Sequence, residues 1–343
     1  MNNRILMLCG VLLVTACGGN QKGTETAAPA VEESAPLVVY SSRAEQLIAP
    51  IFAAFTEDTG IEVQYVTDDP QPLIERLKAE GENTPASVLL TVDAGNLWFA
   101  ADQGVLAGLD SQTLKAVVPS FLRDSQDRWF GLSLRARTIV YDTRVVNPSQ
   151  LSDYASLADE QWQGKLCLRT SKKVYNQSLV AMLIETLGAA PTETIVEGWI
   201  NNLATDVFPN DTKLIEAVAD GRCAVGIVNT YYLGRLQKQG ELPVGLYFPT
   251  EADGGVHVNV SGAGVVKNAA NPEAAQLLLE WLVGDRGQAL FANENLEFPV
   301  RSDVTPHPIV DAWGPYSAST VPLENAGIRQ AEAVKLMDRA GYR

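Results

Sequence analysis

The chain is 343 residues long and carries a formal net charge of −15, from 41 acidic against 26 basic side chains. That balance argues against nucleic acid as a partner, because nucleic-acid binders cluster Lys and Arg to neutralise phosphate. An acidic surface suits cation capture, or simply solubility. Beyond the first few dozen positions, apolar segments are spaced throughout, enough to build two lobes of ordinary domain size.

Arg4 precedes an apolar run over 5–14 that stops at Thr15, Ala16 and Cys17. This is the layout of a secretory signal, and small residues directly before a cysteine resemble the bacterial lipobox. The resemblance implies a lipoprotein signal peptide over 1–16 and lipidation of Cys17 as the mature N-terminus. The run is shorter than the roughly 20 residues that span a bilayer. Residues 17–36 are Gly, Thr, Ala, Pro and Glu with few large apolar side chains, so they read as a flexible tether that cannot offset its own chain entropy. Cys9 leaves with the signal and Cys17 carries lipid. Cys167 and Cys223 remain as a pair in an oxidising compartment, where a disulfide is the default and two buried thiols the alternative.

The folded part opens with an apolar strand over 37–40 and the polar turn Ser41, Ser42, Arg43. Leu47, Ile48, Ile51, Phe52 and Phe55 then recur at helical spacing until Thr59 and Gly60 end the helix. A strand over 61–66, a helix over 72–80, a strand over 86–91 and a helix over 94–103 follow, the two helices closed by Gly81 and Gly104. Later segments keep the rhythm, with strands at 164–169 and 224–228 and helices at 177–187 and from near Thr230. A strand-like stretch covers 256–266, and helices fill 272–291 and 326–340. Strand and helix in alternation predict an α/β fold. No Walker loop is present, and neither His257 nor His307 sits in a metal-protease spacing or a triad context, so no enzyme motif is legible.

The most informative local sequence is Asn229, Thr230, Tyr231, Tyr232, Leu233, Gly234, Arg235, where a strand ends and a helix begins. Adjacent residues at a helix start are about 100° apart, so both phenol groups can reach one point off the helix end. Paired phenolates suit a hard ferric ion, which drives the phenol proton off at neutral pH. By itself a tyrosine pair more often buries its rings and leaves its hydroxyls wet. Taken with Arg135, Ala136, Arg137, Thr138, Ile139, Val140, Tyr141, Asp142, with 89–98, with Tyr40, Ser41, Ser42, Arg43, and with Glu297, Phe298, Pro299, Val300 and 332–335, the pair resembles the ferric-iron-binding proteins of bacterial ABC importers.

That resemblance implies the two-lobed type II periplasmic binding fold, with two hinge-crossing strands near 134–141 and 260–263. Lobe 1 is expected over 37–137 and 262–312, lobe 2 over 138–261 and 313–343. It implies Fe(III) as cargo, Tyr141, Tyr231 and Tyr232 as ligands, and delivery by a lipid-anchored periplasmic monomer to a permease and its ATPase. Strand period two puts Arg135, Arg137 and Tyr141 on one face. Arg43, Arg135 and Arg137 are therefore candidates to hold a bicarbonate or another anion, or else to pair with nearby aspartates. The sequence departs from the family where a His, or a His and a Tyr, often follows the opening turn: Ala44 and Glu45 stand there. Glu45 is a substitute ligand, or a first-turn acid favoured by the helix dipole. Asp93 reads as the N-cap of the following helix. The same fold also serves inorganic anions, polyamines and organophosphonates, which remain the alternative cargoes.

Overall fold

Three strand–helix pairs open the fold: β1 (Leu37–Ser41) and α1 (Glu45–Thr59), β2 (Val63–Thr67) and α2 (Pro70–Glu80), β3 (Val88–Val92) and α3 (Ala94–Asp102). The computed structural model describes residues 36–249 and 254–343, so the export signal, Cys17 and the tether before residue 36 lie outside the described residues. Helix α1 buries Ile48, Ile51, Phe52 and Phe55 and ends at Gly60, whose φ of 73° lies in the left-handed region that closes helices cheaply only with glycine.

Helix α4 (Gln112–Val117) and the long strand β4 (Phe130–Asp142) come next, then β5 (Leu166–Cys167), α5 (Val174–Leu187), α6 (Ala189–Asn201), α7 (Asp211–Ala219), β6 (Val225–Asn229) and α8 (Thr230–Gln237). The chain finishes with β7 (Val244–Tyr247), β8 (Val258–Val265), α9 (Pro272–Leu282), α10 (Asp285–Asn295), β9 (Phe298–Pro299), α11 (Pro308–Asp311), α12 (Glu324–Ile328) and α13 (Gln330–Arg339). The helix expected over 272–291 is two helices broken at Val283 and Gly284. There α10 folds back so closely that a Cβ on Gly287 would lie 2.6 Å from the carbonyl oxygens of Trp281 and Leu282. The helix expected from Gln177 begins three residues earlier, at Val174, which brings Tyr175 into its first turn.

The strands run in the order β2-β1-β3-β8-β4-β6-β5, with β7 and β9 also pairing with β4. Strand β4 belongs to two neighbourhoods. Its first half, to Ala136, pairs antiparallel with β8, and its second half, from Arg137 to Tyr141, pairs antiparallel with β6. The crossing thus falls between Ala136 and Arg137, inside the expected span. The return crossing differs from expectation, because β8 pairs only with β3 and the first half of β4. It lies before β8, where the His257 carbonyl accepts a 2.9 Å hydrogen bond from the Arg137 amide.

Two principal cores flank the crossing. One runs from Leu37 to Leu132 and through Val258, Val260 and the α9 leucines. The other gathers Ile139, Trp162, Leu179, Trp199 and, from the C-terminus, Ala333, Leu336 and Met337. Leu323 packs with the first core, although 313–343 is expected in the second lobe. A smaller cluster of Ala136, Tyr231, Val256, Leu296 and Phe298 fills the seam. A further cluster gathers Val140, Leu214 and Val228 with Cys167 and Cys223, and there Cys167 of β5 forms a disulfide with Cys223, just before β6, their Cα atoms 5.9 Å apart.

Candidate functional site at the seam

Strand β6 is buried along its length and delivers the chain directly into α8, so Tyr231 and Tyr232 stand in the first turn of that helix. Their ring centroids are 4.3 Å apart at a tilt of 32°. Tyr231 is buried and Tyr232 half-buried. Three guanidinium groups surround the pair. Arg235, one turn along α8, lies 4.7 Å from the Tyr231 ring centre, Arg169 lies 5.9 Å from that of Tyr232, and Arg135 on β4 raises the tendency of Tyr231 to ionise. Burial opposes that tendency more strongly and, with the mutual repulsion of charges on Tyr175 and Tyr232, pushes the Tyr231 phenol well above its ordinary range.

The third phenol is Tyr175, which sequence reasoning missed. Its ring lies 5.1 Å from the Arg169 guanidinium carbon and 5.4 Å from that of Arg135. Burial raises its pKa while Arg135 pulls it down, and Tyr231 and Tyr232 act on it directly. Arg169 follows β5, the strand paired with β6, and Tyr175 stands in the first turn of α5. The only sequence signal was a tyrosine at an N-terminal helix position, which the later expected helix start hid.

Tyr141 does not join this cluster. It faces Val225, at the start of β6, whereas the tyrosine pair follows Asn229, at its end. The register places Arg137 opposite Asn229, so Tyr141 is four residues, about 13 Å, further along β4. Its ring instead covers Gly245 of β7, where a built Cβ would lie 2.7 Å from the Tyr141 Cζ. Sharing a strand face is not sharing a site.

The three arginines expected to hold an anion have separate fates. Arg137 is buried and donates to Asp211 at 3.1 Å, Asn229 at 3.1 Å and Asn176 at 2.5 Å. Arg43 is buried against Glu297 at 3.2 Å and also meets Ser261. For these two, the carboxylate partner is the outcome. Arg135 is different: it donates to the Ser261 hydroxyl at 3.1 Å, and its buried Nε and Nη2 have no hydrogen-bond partner. Burial alone would lower its pKa, but charge on Tyr175, Tyr231, Glu297 and Asp93 outweighs that and raises it.

Glu45 is exposed in the first turn of α1 and accepts a 3.4 Å hydrogen bond from the Tyr65 hydroxyl of β2. Among the described residues, no hydrogen bond or ion pair links it to the three phenols. Asp93 caps α3 as expected, accepting from the Gly95 amide at 2.9 Å. His257 is buried and held neutral, its pKa pushed down to about 3 by burial and then by Arg137 and Arg135. His307 caps α11, its Nδ1 accepting from the Ile309 amide. No group of three or more His, Cys, Asp or Glu side chains able to hold a metal occurs among the described residues. The site is built from phenol oxygens in a cationic surround, a donor set for a small, highly charged, hard cation.

Fold and site together define a two-lobed α/β binding protein whose candidate ligand groups, the three phenols, lie near the seam between its cores. The model for the bacterial extracellular solute-binding proteins matches residues 51–316, and the chain belongs to that family. It is 39% identical to iron uptake protein A1 of Synechocystis, over 98% of this chain and 95% of that protein. A Trichodesmium protein solved in complex with iron and citrate superposes with a TM-score of 0.86 at 41% identity, covering 90% of this chain and all of that one. A ferric binding protein from Campylobacter jejuni superposes with a TM-score of 0.82 at 31% identity, over 90% of this chain and all of that one. These relatives are binding proteins rather than enzymes.

Proposed function

We propose that this chain captures ferric iron through the phenolate oxygens of Tyr175, Tyr231 and Tyr232 and hands it to the permease and ATPase of an ABC importer. The observation that carries the reading is the meeting of three phenols under Arg135, Arg169 and Arg235, of which Arg169 is paired with a carboxylate, Asp211 at 3.4 Å. Three phenolates balance the charge of one ferric ion. The relatives named for iron uptake support the same cargo.

Burial raises the Tyr175 and Tyr231 phenols and keeps both protonated before iron binds. Iron replaces those protons as it binds, so capture releases protons and strengthens as pH rises. Helices α5 and α8, which carry all three phenols, follow the β4 crossing, so iron lands on the second lobe first, and the first lobe closes over it by hinge motion of the kind this fold uses. Glu45 is the carboxylate that the first lobe can bring to the remaining coordination positions. Bicarbonate or another anion completes the shell at the unpartnered Nε and Nη2 of Arg135. A lipid at Cys17 holds the monomeric protein to a membrane in the periplasm.

Arg135 also favours a second reading, in which the cargo is itself an anion and the phenols only line its pocket. Visible absorbance separates the two, because ferric phenolate coordination is coloured and anion binding is not. Mature protein loaded with ferric citrate and washed is expected to keep stoichiometric iron and a visible band, and Tyr231→Phe with Tyr232→Phe to lose both. Colourless wild-type protein, or a double variant that stays equally coloured, would hand the site to the anion.

A further inference from the structure

We propose that Asp93 is a positioning residue for the tyrosine cluster, tying helix α5 to the first core so that Tyr175 stays in register with Arg135. The inference rests on the iron reading above. Asp93 lies in the turn between β3 and α3, fully buried, with a φ of 81° that non-glycine residues adopt only at a cost. Capping α3 needs one acceptor, the oxygen that takes the Gly95 amide. The carboxylate does two further things. It accepts from the Ser178 hydroxyl at 2.7 Å and from the Asn259 side-chain amide at 2.8 Å.

Both extra partners lead to the site. Ser178 is three residues after Tyr175 in α5, so the two side chains share one face of the helix. Asn259 lies opposite Arg135 in the β4–β8 ladder, and its own carbonyl oxygen accepts from the Ala94 and Val260 amides. One carboxylate is therefore one hydrogen bond from the helix that carries Tyr175 and one from the strand that faces Arg135. The Arg135–Tyr175 stack at 5.4 Å spans the same gap. The Asp93–Ser178 bond joins the first core to the second one helical turn below a phenol that binds the cargo. It is a side-chain link between cores, distinct from the backbone crossings of β4 and of the return before β8.

Two variants separate positioning from capping. Ser178→Ala deletes the link and leaves the cap intact. Asp93→Ser keeps a capping oxygen but is too short to reach Ser178 and Asn259. In mature protein loaded with ferric citrate, each is expected to shift the visible phenolate–iron band and to speed iron loss to a chelator by about 10- to 100-fold, the range typical of partners that orient a metal ligand. The double variant should add little to Asp93→Ser alone, because that change already breaks the bond that Ser178→Ala removes. Wild-type band position and loss rate in Ser178→Ala would reduce Asp93 to a helix cap and overturn the inference while the iron reading stands. Wild-type protein that retains no iron overturns both.

Discussion

The two ends of the β4–β6 ladder are built from the same pair of strands and do different work. At one end Arg137 faces Asn229, and the chain turns at once into the helix that carries Tyr231 and Tyr232. At the other end Tyr141 faces Val225, Asp142 is tied to Arg144 at 2.8 Å, and the Cys167–Cys223 disulfide fastens the neighbouring strand. Both ends hold a tyrosine. Only at the first do other phenols and the guanidinium groups of Arg135, Arg169 and Arg235 converge on it. A tyrosine becomes a candidate ligand through its company rather than its type.

The largest effect that would test this contrast comes from single hydroxyl deletions at the two ends. Tyr175→Phe is expected to cost more iron affinity than the 10- to 100-fold typical of outer partners, with a change in the visible band, and Tyr141→Phe to leave both untouched. Competitive chelator titration reads the two side by side, and equal losses would erase the distinction.

Next in size is the disulfide. Cys223→Ser opens a bridge between residues 56 apart in sequence, and denaturant unfolding should report a loss of about 2 to 4 kcal/mol. Iron affinity should hold, because the bridge lies at the far end of the ladder from the phenols. A large affinity loss in the folded variant would mean that the two ends are mechanically joined.

The smallest effect concerns His257, which sits at the seam and whose amide donates to the Tyr154 hydroxyl at 3.0 Å. Its pKa is lowered on folding from 6.5 to about 3, so below about 6.5 the unfolded chain takes up a proton that the folded chain refuses. The His257 contribution to stability is complete above that pH and drains away as pH falls toward 3, at up to about 1.4 kcal/mol per pH unit. His257→Gln should flatten the stability profile between pH 6 and 4 by up to that slope, as read by urea midpoints. Parallel profiles would show that the imidazole is solvated after all.

Sequence alone determined the strand–helix alternation, because burying one face of a helix or strand imposes a period that needs no knowledge of the partner. It also determined the Tyr231–Tyr232 pair, since adjacency at a helix start holds in any fold, and it made a Cys167–Cys223 disulfide the default over two buried thiols, a choice the structure resolves in favour of the bond. Only the tertiary structure decided the rest of the site. Tyr175 meets the pair through Arg169, whose guanidinium lies over both the Tyr175 and Tyr232 rings, and no local pattern encodes that approach. The family resemblance names Tyr141 as the third phenol, and strand period two sets it on one face with Arg135 and Arg137, but neither measures the distance of about 13 Å along β4. Likewise Arg135 and Arg137 are indistinguishable by pattern. Arg137 meets Asp211, 74 residues away in sequence, and Arg135 meets no carboxylate. A charge's role depends on which opposite charge the fold brings within a few ångströms, and that is a property of three-dimensional contact alone.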